Sequence, residues 1–216
     1  MIAYLVMIPL GYLLGALPFG LILGKLFRGV DVRDYGSGKT GMTNVMRTAG
    51  VPIALLVLAL DMVKAVLAVV LARILFDSPG VETGAAIATL VGHNWPVFVG
   101  FRGGRGTAPG WAALIVLSPL AGLVASLIGL SAIAVSRYVS LGSILGTLSG
   151  IITLIVLASL GLVVYGASDS FWFAPAEYMW FAVIGAALVI GLHKDNIQRL
   201  ISGTERKIGQ PALPTD

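Results

Sequence analysis

The sequence predicts an all-α polytopic membrane helix bundle of about seven transmembrane helices, with the N-terminus outside and the C-terminus inside. Three observations predict it: the composition, the alternation of long apolar runs with short polar islands, and the placement of lysine and arginine. Hydrophobic residues make up 57% of the chain and charged residues 11%, where a soluble domain carries about 25% charge. Mean hydropathy is +0.97. The 216 residues are read as one membrane domain over 1–216. The 28 glycines suit close helix packing in lipid, where small residues let backbones approach. The absence of cysteine excludes a disulfide framework, a thiolate nucleophile and a Cys-based metal site. The sequence pI near 9.6 is read as basic residues flanking spans and touching acidic headgroups; no nucleic-acid partner is expected.

The elements follow in order. Met1 to Leu23 is an uncharged apolar run without the basic n-region of a cleaved signal. Lys25, Arg28 and Arg33 follow it, so the positive-inside bias sets this first loop in the cytoplasm. A second span covers about Val51 to Phe76 and exits at Asp77-Ser78-Pro79-Gly80; a third returns from about Thr83 to Asn94 and breaks at Trp95-Pro96. Thr107 to Ser136 carries no charge. One crossing would place Arg137 and the basic tail outside. Two crossings, turning at Ser118-Pro119, return both to the cytoplasm, at the cost of passes of only about 14 residues each. The hairpin is the reading adopted. Spans at about Leu141 to Val164 and Tyr178 to Leu192 follow, joined by an outer loop with Asp169 and Glu177. Twelve of the fourteen Lys/Arg then lie on the cytoplasmic side; Lys64 and Arg73 do not.

Three polar islands carry the chemistry. The first, Gly36 to Arg47, ends its glycine cluster in Gly38-Lys39-Thr40, but a P-loop would need glycine at position 33, which is Arg33, and a strand before it. The physics of closely spaced glycines still applies: Gly38 and Gly41 let successive N–H groups converge on an anion. Ser37, Thr43 and Asn44 add neutral donors, and Arg47 can fork onto phosphate oxygens. The second island sets Arg102 and Arg105 on a backbone lacking three side chains, Gly103, Gly104 and Gly106. For both islands the plain alternative is a glycine turn with positive-inside arginines. His93, just before the Trp95-Pro96 break, reads as a satisfied helix-end histidine rather than a base. The third island places Asn196 at i+3 and Arg199 at i+6 from His193, one helix face for the first pair. Histidine alone titrates near neutrality. Arg137, Ser140 and Ser143 form one more arginine-and-hydroxyl segment at a helix start. Asp61 and Lys64, at i,i+3 within the second span, read as a structural ion pair.

Together these residues resemble the bacterial membrane glycerol-3-phosphate acyltransferases of the acyl-phosphate-dependent type. The resemblance spans Tyr12 to Gly20, Asp61 to Lys64, Gly92-His93 with Pro96 to Phe98, Arg102 to Gly106, Arg137 to Leu141, and His193 through Asn196, Arg199, Gly203 and Glu205. It implies transfer of a fatty acyl group from acyl phosphate to the 1-hydroxyl of glycerol 3-phosphate. The implied products are lysophosphatidic acid and phosphate, in the phospholipid synthesis of the bacterial cytoplasmic (inner) membrane, with the site facing the cytoplasm. By position it implies a site lined by Ser37, Arg47, Arg105, Ser143, His193 and Asn196. The family commonly has asparagine at Lys39, lysine at Arg102 and Arg105, and threonine at Pro109. Lys39 is left with two roles, a phosphate contact or plain solvation.

Acyl phosphate is already activated, so no protein nucleophile, metal or cofactor is expected. Ser37, His193 and Asn196 are the candidate catalytic residues. Gly38, Gly41, Thr43, Asn44, Arg47, Gly104, Arg105, Gly106, Arg137, Ser140 and Ser143 are the candidate substrate-binding ones. Asn196 and loop N–H groups are candidate oxyanion donors, and the base is His193 or the substrate's own phosphate. The HxxxxD signature of soluble-type acyltransferases is absent, since Phe98 and Gln198 stand where the aspartate would be; CoA- or carrier-linked donors are therefore disfavoured. A monomer is expected, with membrane lipid and the two anionic substrates as partners. The alternative function is a transporter for a small phosphorylated anion, against which stands the clustering of arginines at one membrane edge rather than the midplane.

Overall fold

The structure, a computed structural model, describes residues 1–163 and 174–210. Among the described residues there are ten α-helices and no β-strand: α1 Ile2–Gly15, α2 Phe19–Arg28, α3 Met42–Thr48, α4 Val51–Phe76, α5 Pro79–Asn94, α6 Thr107–Leu117, α7 Pro119–Ser136, α8 Val139–Val163, α9 Tyr178–Leu192 and α10 Lys194–Ile201. Asp169, expected in the loop before α9, lies outside the described residues.

Most boundaries follow from local chemistry. The Ser118-Pro119 turn divides the uncharged stretch into a hairpin of 11 and 18 residues rather than two equal arms. Pro119 stands in the first turn of α7, where its missing N–H costs nothing. The first apolar run lies within one candidate span, Ile2–Arg28, but it is not one continuous helix: Pro18 lacks an N–H and disfavours helical backbone before it, so the chain breaks between α1 and α2. The break has a use: the Leu17 carbonyl accepts a hydrogen bond from Lys64 Nζ at 3.1 Å.

Named contacts fix the helix directions. Arg73 meets Glu82 and Lys64 meets His93, so α4 and α5 are antiparallel. Trp111 meets Ser126 across α6 and α7, also antiparallel. Glu82 meets Tyr178, while a Cβ added at Gly185 would touch Leu90, so α5 and α9 run parallel. At the α7–α8 crossing the backbones touch: a Cβ at Gly142 would stand 2.5 Å from the Gly129 carbonyl oxygen, the close approach that small residues allow in lipid.

Among the described residues, four segments are long and apolar enough to cross a bilayer: Ile2–Arg28, Val51–Phe76, Pro119–Ser136 and Val139–Leu160; α9 and α10, bent by 57° to each other, count as a fifth only when taken together. The chain is therefore a multi-pass membrane protein. Helix α5 has only 16 residues, and eleven of them are buried. The two cations assigned away from the basic face both have acids. Arg73 pairs with Glu82 at 2.7 Å, and Tyr178 also donates to Glu82 at 2.8 Å. Lys64 pairs with Asp61 at 2.7 Å.

Candidate active site

The first island is a loop folded around one side chain. Asn44, in the first turn of α3 and buried, accepts from the Ser37 N–H at 3.1 Å. Its amide nitrogen faces three carbonyls, Val32 at 2.7 Å, Tyr35 at 3.0 Å and Lys39 at 2.9 Å. Its hydrogen-bonding capacity is thus spent on the loop, and Asn44 shapes the glycine segment rather than presenting a free donor to a ligand. At the loop's entry Arg33 grips Asp31 at 2.8 Å and donates to the Val99 carbonyl at 3.0 Å. The Arg33 hydrogen bond holds the Asp31 carboxyl down at about 2. The Thr40 N–H reaches the Gly103 carbonyl, tying the first island to the second.

The second island is moulded onto His93. The Gly104 N–H donates to the His93 carbonyl at 3.0 Å, and a Cβ at Gly104 would run into His93 Nε2. Glycine is required there for space. The ring's other nitrogen lies 3.0 Å from Lys64 Nζ, so His93 is the satisfied helix-end histidine its sequence position suggested. Gly106 caps α6 with a φ of +80°, a left-handed conformation that favours glycine. Arg105 donates from Nε to the Leu192 carbonyl at 3.2 Å, bridging the second island to the end of α9.

Just beyond the third island stands Glu205, which the sequence placed in the family resemblance but not among the candidate site residues. Glu205 receives Ser140 Oγ at 2.9 Å and Asn196 Nδ2 at 2.8 Å on one oxygen, and Arg199 Nε at 2.7 Å on the other. Burial opposes its charge, but the hydrogen bonds from Arg199, Asn196 and Ser140 outweigh burial and keep its pKa below the usual glutamate value. Its signal in the sequence was faint, a single acid between Arg199 and Arg206. An ionised carboxylate only accepts, so the Asn196 atom facing it is the nitrogen. Asn196 Oδ1 therefore points away; it is buried and has no partner among the described residues. Asn196 thus offers an acceptor at that end, while its amide nitrogen keeps a second N–H beside the one given to Glu205.

His193 ends α9. Its Nδ1 lies 2.7 Å from the Val189 carbonyl, and an N–H donated there leaves Nε2 with the lone pair. Burial pushes the imidazole down to about 4, so the ring is neutral at pH 7. Lys39 is also lowered, first by burial and then by the positive charge of Arg105.

These groups share one cavity of about 230 Å³. Ser37, Gly41, Thr43, Asn44, Arg47, Arg105, Gly106, Ser140, Ser143, His193 and Asn196 all line it, and so do Lys39, Arg199 and Glu205. Three expected residues do not. Gly38 turns the loop with a φ of +64°, and Gly104 packs on His93 behind the wall. Arg137 is exposed and clasps the tail, donating to the Ile208 carbonyl at 3.1 Å while its own carbonyl accepts the Ile208 N–H at 2.9 Å. Beyond the polar end the cavity continues into an apolar interior lined by Leu58, Leu114, Ala125, Ile151 and Phe181.

Fold and site together define a class: a multi-pass helical membrane protein whose arginine-lined polar site opens directly into an apolar cavity. The family model for glycerol-3-phosphate acyltransferase matches residues 5–203, and the chain belongs to that family. Among its relatives, a glycerol-3-phosphate acyltransferase of Desulforamulus reducens is 42% identical over 206 residues, covering 95% of this chain and 96% of the relative. One from Halalkalibacterium halodurans is 43% identical over 203 residues, 92% of each chain. The crystal structure of PlsY, an integral membrane glycerol 3-phosphate acyltransferase, in its glycerol 3-phosphate form superimposes with a TM-score of 0.83 at 36% identity, covering 95% of this chain and 96% of that one.

Proposed function

We propose that this protein transfers a fatty acyl group from acyl phosphate to the 1-hydroxyl of glycerol 3-phosphate, giving lysophosphatidic acid and inorganic phosphate. The single observation that carries the reading is the continuity of one cavity from an arginine-rich polar end to an apolar interior. Phosphate-bearing groups suit the first and an acyl chain suits the second. The reading includes seven passes with the N-terminus outside and the site at the cytoplasmic face of the bacterial inner membrane, which the positive-inside bias supports.

The chemistry needs no covalent enzyme intermediate. Two anionic substrates repel each other, and Arg47, Arg105 and Lys39 offset that repulsion while holding them together; positioning of this kind removes several kcal/mol of barrier. The glycerol hydroxyl oxygen attacks the acyl carbonyl carbon, and the carbonyl electrons move onto oxygen. Collapse of that oxyanion re-forms the carbonyl and expels phosphate with the bonding electrons. Ser37 and Ser143 offer hydroxyl donors for the oxyanion, each worth ~3 kcal/mol when well aimed. Asn196 Oδ1 accepts from the neighbouring 2-hydroxyl of glycerol 3-phosphate and so orients the substrate. The proton of the attacking hydroxyl passes to His193 Nε2. A base with a pKa of about 4 does not form an alkoxide in advance, so the proton leaves as the carbon–oxygen bond forms and then goes to the departing phosphate.

The test uses purified protein in detergent or nanodiscs with synthetic acyl phosphate and glycerol 3-phosphate, reading release of phosphate and lysophosphatidic acid. Acyl-CoA replaces the acyl phosphate as a control and is expected to give no product. Failure of well-folded protein to turn over acyl phosphate, with flux of glycerol 3-phosphate into proteoliposomes, would replace the enzyme reading with the transporter.

A further inference from the structure

The polar end accounts for the two head groups, but the apolar interior has a definite depth. It extends along α8 from Ser140 to Ile151 and along α9 from His193 to Phe181, all four lining the cavity. At ~1.5 Å of rise per residue these paths measure roughly 16 and 18 Å. The two agree, so the cavity ends at one level.

What ends it is a convergence of three helices. A Cβ added at Gly150 would stand 2.6 Å from Leu114 Cδ2 and 2.8 Å from Ala125 Cβ. At this level α6, α7 and α8 therefore leave no space between them. Leu114, Ala125, Ile151 and Phe181 line the last part of the cavity, and each is less than a tenth exposed. One turn further, Leu154 is fully buried in the core and no longer lines it. The side wall is fastened as well. Trp111 Nε1 donates to Ser126 Oγ at 2.9 Å, and Ser126 donates to the Gly122 carbonyl at 2.6 Å. This polar pair ties α6 to α7 where an apolar contact alone could part to let a chain escape sideways into lipid.

Resting on the acyl-transfer reading above, we infer that Leu114, Ala125, Ile151 and Phe181 form the floor of an acyl-length ruler, with Trp111 and Ser126 holding its wall. An extended hydrocarbon chain advances roughly 1.3 Å per carbon, given bonds of about 1.5 Å at near-tetrahedral angles. A depth of roughly 16–18 Å then accommodates about 13 or 14 carbons below the carbonyl. The ruler selects chains of about 14 or 15 carbons and disfavours longer ones, whose ends must fold back or pry the wall apart.

The experiment compares kcat/KM across synthetic acyl phosphates of roughly 8 to 20 carbons for the full-length protein and two variants. The natural chain is expected to peak near about 14 or 15 carbons and to fall by about tenfold or more at the longest, the scale on which pockets discriminate methylene groups. Leu114→Ala removes part of the floor and moves the peak to longer chains by two carbons or more. Ile151→Phe raises the floor and moves it to shorter ones. Thermal unfolding and elution of each purified variant as a single species report that it is folded. If either variant proves unfolded, Phe181→Leu serves in its place and should also favour longer chains. A length profile that does not move in folded variants overturns the ruler and leaves the acyl-transfer reading standing. No turnover of any acyl phosphate by the natural chain overturns both.

Discussion

Ser140 donates its hydroxyl hydrogen to Glu205 over 2.9 Å, joining the first turn of α8 to a residue in the tail beyond α10. The same carboxylate holds Asn196 and Arg199, so one acid fixes three residues of the cavity wall. Arg47 and Arg137 reinforce the strap on either side, donating to the carbonyls of Arg206 and Ile208. The tail is a structural part of the site.

Glu205→Ala is therefore expected to leave three donors unmet, two of them on buried side chains, and to cost about 1–3 kcal/mol of stability, the usual penalty for an unsatisfied buried group. Turnover should fall further than stability, because Asn196 loses the contact that sets its orientation. Thermal unfolding and activity on one preparation check both. The pH dependence has a definite sign. Glu205 has a lower pKa folded than unfolded, so protons favour the unfolded chain. Its contribution is complete above the ordinary glutamate range and is lost as pH falls through the folded value. The Tm difference between natural protein and Glu205→Gln should shrink on acidification; a constant gap would contradict it.

His193 should remain neutral, with its proton on Nδ1, down to a pH of about 4. The chain has only two histidines, so nitrogen-15 spectra of histidine-labelled protein can follow each ring, with His193→Asn giving the assignment. Because the folded value lies below the ordinary 6.5, the buried neutral ring disfavours the fold increasingly as pH falls from 6.5 towards 4. A ring that titrates near 6.5 would show His193 to be solvated and contradict its burial against Val189. His193→Ala should lower kcat by roughly 10²- to 10⁴-fold, the range for loss of a positioned acid–base group, while leaving the protein folded.

Arg47 and Arg105 should separate by geometry. Arg105→Lys keeps the charge in the cavity and loses a single hydrogen bond to the Leu192 carbonyl; activity within a few-fold of the natural protein is expected. Arg47 reaches from α3 to the Arg206 carbonyl with one nitrogen, while its buried Nε has no partner among the described residues, which fits a guanidinium with a donor left for a phosphate. Arg47→Lys should then raise KM for glycerol 3-phosphate by tenfold or more, on the order of one charge-assisted hydrogen bond. Steady-state kinetics against each substrate distinguish the two; equal responses would mean that only charge matters.

How much of this was legible in the sequence depended on whether a signal was local. Ser118-Pro119 announced its hairpin because proline at a helix start acts through its own backbone. The polar islands announced themselves because charge is rare in a chain of this hydropathy. Pro18 carried a local signal too, but it sat inside an uncharged apolar run whose length suggested one span, and only the Lys64 contact shows what the break is for. Partnerships were the hidden part. Asn44 read as a donor to a ligand and turned out to hold its own loop. Arg137 read as part of the site and holds the tail. Glu205 reads as an isolated acid until folding brings Ser140, Asn196 and Arg199 to it. No spacing rule links those positions, because tertiary packing pairs them.

The buried pair inside α4 gives the sharpest stability prediction. Lys64 Nζ has three neighbours, Asp61 at 2.7 Å, His93 Nδ1 at 3.0 Å and the Leu17 carbonyl at 3.1 Å, matching the three hydrogens of an ammonium. Asp61 and His93 both line the cavity wall, and the His93 carbonyl carries the Gly104 N–H, so the pair supports the glycine segment from within the bundle. Removing one partner strands a charge at membrane depth: Lys64→Met should cost about 3–5 kcal/mol. Replacing both, as Asp61→Leu with Lys64→Met, removes the stranded charge and should recover much of the stability. Turnover should not recover with it, because His93 and the Leu17 carbonyl still lose the ammonium that joins them. Thermal unfolding of the two single variants and the double variant, alongside their kcat, checks this. A double variant restored in both properties would reduce the pair to packing.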